Sequence, residues 1–131
     1  MLKAGITGMA SEIVDESNTA EAMKSGTLQV YATPSMAALM EQAAYKSVQD
    51  MLEPGQGTVG TRLELSHISA TPIRQQVTAK SRLTSVDGRK LVFAVEAFDE
   101  AGKIGEGVHE RFIVDNKSFQ EKAENKNVSN K

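Results

Sequence analysis

The chain contains no cysteine, only two histidines and three prolines in 131 residues, and no long apolar run. Without cysteine there is no disulfide, no thiolate nucleophile and no cysteine-ligated metal, which suits a reducing compartment, with the cytoplasm as the expected location. Two histidines leave mostly carboxylates as metal ligands, and no H-x-x-x-H spacing occurs, so no metal site is expected. No stretch is long and apolar enough to span a membrane. The opening Met1-Leu2-Lys3-Ala4-Gly5-Ile6-Thr7-Gly8 carries two glycines where an export signal would be apolar, so neither export nor insertion is expected. Charge of one sign is also missing: 15 Lys and Arg stand against 17 Asp and Glu, a net charge of -2. That balance gives no electrostatic case for nucleic acid or an anionic membrane as partner.

What is present is enough for one domain, residues 1–115, followed by a polar tail over 116–131 that reads as a frayed helix or a disordered segment. Residues 6–16 read as a first strand. Asn18 with Glu21 three positions later resembles a capping box, and Gly26 a stop, so a short helix is expected over Thr19 to Lys24. A long helix starts at Thr33-Pro34, with threonine as N-cap and proline in the first helical position, and ends before Pro54-Gly55. Met36, Met40, Ala43, Ser47 and Met51 form one row and Ala37, Ala44, Val48 and Leu52 the next, which makes a broad apolar stripe.

After Gly60 the apolar period changes from 3.6 to two. Four strands follow, over 58–69, 73–84, 90–98 and 103–114. In the first, Val59, Thr61, Leu63, Leu65 and His67 are expected to point inward. In the last, Ile104, Val108, Phe112 and Val114 alternate with Gly105, Gly107, His109, Arg111 and Ile113. His109, on the face opposite Val108 and Phe112, reads as a structural or surface histidine. The glycine-containing turns at 85–88 and 99–102 indicate antiparallel hairpins. One long helix followed by an antiparallel sheet is an α+β arrangement in which the sheet must curl over the helix to bury it.

Two motifs carry nothing. Gly55-Gln56-Gly57-Thr58-Val59-Gly60 matches G-x-G-x-x-G, but it leaves a helix and enters a strand, the reverse of a dinucleotide site. Asn127-Val128-Ser129 is a glycosylation sequon without an expected route to the secretory pathway.

Three residues are candidates for chemistry. Glu41 falls within the apolar row of the long helix, where a carboxylate is costly unless partnered, although at the edge of the stripe it reaches solvent. His67 shares a strand face with leucines, as either a core histidine satisfied by a carbonyl or, with Glu41 facing it, an acid-base group. Thr33 is explained by capping alone, yet its hydroxyl and the free N-H groups of the first helical turn also suit a developing oxyanion.

The segments Tyr31-Ala32-Thr33-Pro34-Ser35-Met36-Ala37-Ala38-Leu39-Met40-Glu41, Leu52-Glu53-Pro54-Gly55-Gln56-Gly57-Thr58-Val59-Gly60-Thr61 and Ser66-His67-Ile68-Ser69-Ala70-Thr71-Pro72, together with Val86-Asp87-Gly88-Arg89 and Gly107-Val108-His109-Glu110-Arg111, resemble the hotdog-fold thioesterases related to fluoroacetyl-CoA thioesterase. The resemblance covers residues 28–114. It implies a hotdog fold, a homodimer or an assembly of dimers with sites at the subunit interface, and Thr33, Glu41 and His67 as catalytic residues. It also implies a substrate-binding role for Gly60, whose backbone N-H meets the acyl group. The expected reaction is hydrolysis of an acyl-CoA to free acid and thiol, with no cofactor other than the coenzyme A of the substrate. Thr33 would be nucleophile or positioning group. Proline follows Thr33 where the fluoroacetyl enzyme has glycine, and no aromatic lid is recognisable before Tyr31, which implies a less specialised acyl-CoA thioesterase. Lys80, Arg82, Arg89, Lys90, Lys103 and Arg111 are candidates for the coenzyme A phosphates. The alternatives on the same fold are a hydratase or dehydratase of acyl thioesters and a noncatalytic acyl-CoA-binding module.

Overall fold

The computed structural model describes residues 2–126. The elements run β1 (Thr7–Ile13), α1 (Thr33–Gln49), β2 (Gln56–His67), β3 (Gln76–Asp87), β4 (Lys90–Asp99), β5 (Gly102–Asp115) and α2 (Asn116–Glu124). The five strands form one antiparallel sheet in the order β1-β3-β4-β5-β2. The polar sequon segment at 127–129 lies outside the described residues.

Helix α1 packs mainly on β1 and β3 and more lightly on β2 and β4. Its apolar stripe is the core: Met36, Leu39, Met40, Ala43, Ala44 and Val48 are buried against Val77, Ala79 and Leu83 of β3 and Leu91, Phe93, Val95 and Ala97 of β4. Removing the side chain of a methionine so enclosed costs about 2–5 kcal/mol through lost transfer energy and the cavity left behind. The helix stops at Gln49, short of Pro54, because Met51 and Leu52 donate to the Val48 and Gln49 carbonyls in tight turns; Met51 is exposed rather than part of the stripe.

Several expectations are corrected. Thr33 is the first helical residue, not the N-cap; Ala32 is the cap position and offers no side-chain hydrogen bond, so the Thr33 hydroxyl is free for another partner. Thr19 to Lys24 forms turns, not a helix. The Thr19 hydroxyl accepts from the Ala22 N-H, whereas Asn18 braces the loop through the Asp15 N-H and the Ile13 carbonyl. The segment is then drawn out by bridges Thr19–Tyr31 and Val30–Pro72, which prevent a continuous helix. At the other end α2 is a regular helix whose cap, Asp115, accepts from the Ser118 N-H, and none of its side chains is buried.

The hairpin turns are as expected, with Gly88 and Gly102 at φ 61 and 147. The second hairpin also fixes which face of β5 is inward. Leu91, Phe93, Val95 and Ala97 pair with Arg111, His109, Gly107 and Gly105, and directly paired residues share a face. The inner face of β5 is therefore its glycine, histidine and arginine face, while Val108 and Phe112 are 47% and 41% exposed. His109 is fully buried, against the expectation that left a surface position open. On β2 a register shift between Gly60 and Arg62 reverses the alternation. Val59 pairs with outward Phe112 and Thr61 is exposed, so neither belongs with inward Leu63, Leu65 and His67; Gly60 does, paired with Arg111.

Candidate active site

The inner face of β2 carries polar groups at both ends. At its C-terminal end, His67 Nδ1 lies 2.8 Å from the Thr33 hydroxyl. Both partners are held by backbone. Tyr31 N-H donates to the Thr71 carbonyl and Ala32 N-H to the Asn18 carbonyl, which sets the entry of α1. Ile68 N-H donates to the Ile104 carbonyl and closes β2 just past His67. The buried Tyr31 hydroxyl donates to Glu12 at 2.6 Å, tying the same segment to β1.

His67 is partly buried, and that burial pushes its pKa below the ordinary 6.5, opposed by the Ser69 backbone carbonyl. The ring is thus neutral at neutral pH. Its Nε2 is shielded and has no hydrogen-bond partner among the described residues. A neutral imidazole whose Nδ1 meets a hydroxyl can take a proton through that nitrogen. Beside the pair is a cavity of about 300 Å³, walled by Ala20, Ser25 and Val30 before α1 and by Ile68 and Ala70 after β2. A larger hollow of about 1080 Å³ crosses the outer face of the sheet between Met9, Lys80, Glu96 and Val108. It contains no histidine, and of the two only the smaller cavity adjoins the Thr33–His67 pair.

Glu41 is elsewhere. Its Oε2 sits over Gly60 at the opposite end of β2, 4.0 Å from His109 Nε2 and 3.9 Å from Arg111 Nη1. A Cβ on Gly60 would come within 2.8 Å of that oxygen, so the absence of a side chain is what lets the carboxylate approach the strand. Seven residues of strand separate Gly60 from His67, about 20 Å at 3.3 Å per residue with one residue bulged. Within one chain the structure therefore pairs Thr33 with His67 and Glu41 with Gly60, and does not bring Glu41 to His67. The expectation that Glu41 orients His67 is not met within the chain, because β2 runs extended between them.

The basic candidates also change. Arg111 is 8% exposed and bonded to Thr58, which removes it from any phosphate-binding mouth. Lys103 pairs with Glu96 and Glu106, Lys90 with Glu110, and Arg89 donates to the Ile113 carbonyl. None of the six lines the cavity beside His67. Among the described residues no cluster of three or more His, Asp or Glu could hold a metal, and no helix is long and apolar enough to cross a membrane.

Sequence reasoning missed His109 and Arg111 as partners of Glu41. The missing signal was register: carrying the inward face of β4 around the turn at 99–102 places both residues inside.

Comparison with known proteins agrees with this architecture. Residues 14–117 match the family described as fluoroacetyl-CoA-specific thioesterase. The chain is 40% identical over 98 residues to the fluoroacetyl-CoA thioesterase of Streptantibioticus cattleyicolor, an alignment spanning 75% of this chain and 70% of that protein. It superposes on a structure of the fluoroacetyl-CoA thioesterase FlK with a TM-score of 0.92 at 31% identity, covering 98% of this chain and 99% of the other. A variant of FlK has been solved with fluoroacetate and CoA; the chain covers 99% of it at 32% identity and a TM-score of 0.85, over 90% of its own length. A hot-dog-like protein of Thermanaerovibrio acidaminovorans, 22% identical with a TM-score of 0.86 over 95% of this chain and 93% of that one, shares the fold. With a helix laid across a curled antiparallel sheet and a family match that spans most of its length, this chain is a hotdog-fold protein of the fluoroacetyl-CoA-specific thioesterase family.

Proposed function

We propose that this protein hydrolyses an acyl-CoA thioester to the free acid and coenzyme A, with Thr33, Glu41 and His67 as its catalytic residues and the Gly60 backbone at the acyl group. Hydrolysis of thioesters is the chemistry of its family. The observation that supports the site is the 2.8 Å contact between Thr33 Oγ1 and a neutral His67 at the mouth of a small cavity.

In this reading His67 takes a proton from water, or from the Thr33 hydroxyl, as the oxygen adds to the thioester carbonyl. The oxyanion is met by backbone N-H groups near Gly60 or at the N-terminus of α1. Collapse breaks the C–S bond, and the proton held by His67 passes to the departing thiolate. If Thr33 attacks first, a second round with water releases the acid. The cavity of about 300 Å³, bounded by Val30, Tyr31 and Ile68, suits a short acyl group.

One chain does not assemble all three groups, and a homodimer resolves this. β2 is an edge strand with half-buried Leu63 and Leu65 on its inner face. Antiparallel pairing of β2 with β2 of a second copy, about a twofold axis through residue 64 and with residue 61 bulged, would set residue 67 of one chain opposite residue 60 of the other. His67 and Thr33 of one copy would then meet Glu41 and Gly60 of the second. A cytoplasmic location is consistent with the absence of cysteine.

The test is a panel of acyl-CoAs assayed for free thiol. Thiol release from at least one, abolished in His67→Ala, is the expected result. Loss of enoyl absorbance without thiol would indicate a hydratase, and saturable binding without turnover a noncatalytic module.

A further inference from the structure

Arg111 is a buried cation on a strand in the interior of the sheet, and such a group is tolerated only when its hydrogen bonds are met. Here they are met in a fixed order. His109 Nδ1 lies 2.7 Å from the Arg62 carbonyl; a carbonyl only accepts, so the proton is on Nδ1 and Nε2 is a bare acceptor. Arg111 Nη1 donates to that Nε2 at 3.1 Å, Nε to the Thr58 hydroxyl at 2.8 Å and Nη2 to the Thr58 carbonyl at 2.9 Å. The guanidinium also lies 5.8 Å from the Tyr45 ring, which covers its free face.

This anchored cation presents Nη1 at 3.9 Å from Glu41 Oε2. His109 cannot supply the attraction, because the nitrogen that faces Glu41 carries no proton. Burial, assisted by the charge of Arg111 and opposed by the Arg62 carbonyl and by Glu41 and Glu110, holds the ring neutral. Glu41 itself is 43% exposed and makes no hydrogen bond among the described residues. Without Arg111 its side chain would be free to swing into solvent.

We propose that Arg111, locked by Thr58 and His109, is a positioning residue that holds the Glu41 carboxylate over Gly60 so that it faces the acyl site. This rests on the reading of Glu41 as a catalytic group. It accounts for a costly buried arginine, for the histidine committed to one tautomer beside it, and for a strand position that a Cβ would block.

A double-mutant cycle in thiol release tests it, with Arg111→Met, Arg111→Lys, Glu41→Gln and the paired variants. The expected result is a fall in kcat of about 100-fold for Glu41→Gln and at least about 10-fold for Arg111→Met with KM nearly unchanged. In the Glu41→Gln background Arg111→Met should cost less than about 2-fold, because what it positions is already gone. Arg111→Lys should recover part of the loss. Equal losses in both backgrounds, or a loss confined to KM, would overturn the proposal while leaving Glu41 catalytic. An unchanged kcat in Glu41→Gln would overturn the catalytic reading of Glu41 and this inference with it. If Arg111→Met does not fold, the same cycle with Arg111→Lys decides.

Discussion

The two ends of β2 present polar clusters of opposite character on one face. The Thr33–His67 end has a single side-chain contact among the described residues and an adjoining cavity. The Gly60 end is closed, with His109 and Arg111 satisfied by Thr58 and the Arg62 carbonyl and only the Glu41 carboxylate reaching outward. A group that must exchange protons with substrate needs free valences, and a group that must orient another needs none. The first end therefore has the character of reacting atoms, the second of a mount for one carboxylate.

The largest expected effect falls on the open end. His67→Ala should lower thiol release by about 10³-fold, in the usual range for loss of a general base, and a loss of less than about 3-fold would remove His67 from the chemistry. The relation between the ends is probed by mixing. If each site takes His67 from one chain and Glu41 from another, co-refolded His67→Ala and Glu41→Gln variants should regain about a quarter of wild-type activity, since half the dimers are mixed and each has one intact site. No recovery would mean that the two ends do not cooperate across chains.

Gly60→Ala sharpens the geometry of the closed end. The new methyl would lie 2.8 Å from Glu41 Oε2 and must displace it, so kcat should fall by about 10-fold while the melting temperature changes little. An unchanged kcat would show that the carboxylate need not lie there.

A pH profile compares the two histidines. Burial holds both below the ordinary 6.5, so His67 stays neutral into mildly acidic solution and the acid limb of kcat/KM should have its midpoint below 6.5. Stability has the same sign: it is fully present above 6.5 and declines as pH falls through the lower folded values, because the unfolded chain takes up protons first. An acid limb above 6.5 would mean that the Glu41 carboxylate a second copy brings to His67 outweighs the burial of the ring. The smallest effect is expected from Thr33→Val on stability. Because Ala32, not Thr33, is the cap, the loss should be under about 0.5 kcal/mol by denaturant unfolding, whereas loss of a true N-cap threonine costs about 1 kcal/mol.

Much of the fold was legible in the sequence because it rests on local rules. Period 3.6 from Met36 to Val48, period two from Leu63 onward and glycines in the turns at 88 and 102 were enough for one long helix and an antiparallel sheet. The errors lay where a local rule met a longer-range constraint. Asn18 and Glu21 suggested a helix, but bridges to Tyr31 and beyond hold that segment as turns. Thr33 looked like a cap, but one residue of offset gave its hydroxyl to His67. On β5 the alternation does not say which face is inward, and pairing with β4 turns Val108 and Phe112 out.

By itself the sequence determined the helix, the strands, the hairpins and, through motif resemblance, the family and three residues to suspect, because these depend on side-chain character and spacing along the chain. Only the tertiary structure decided which of those residues meet. The bulge after Gly60 and the register of β4 with β5 are pairing relations between distant segments, and a one-residue shift in either reverses the face a side chain occupies. That is why Glu41 lies beside Arg111 and His109, while His67, on the same strand face as Gly60, is bonded to Thr33.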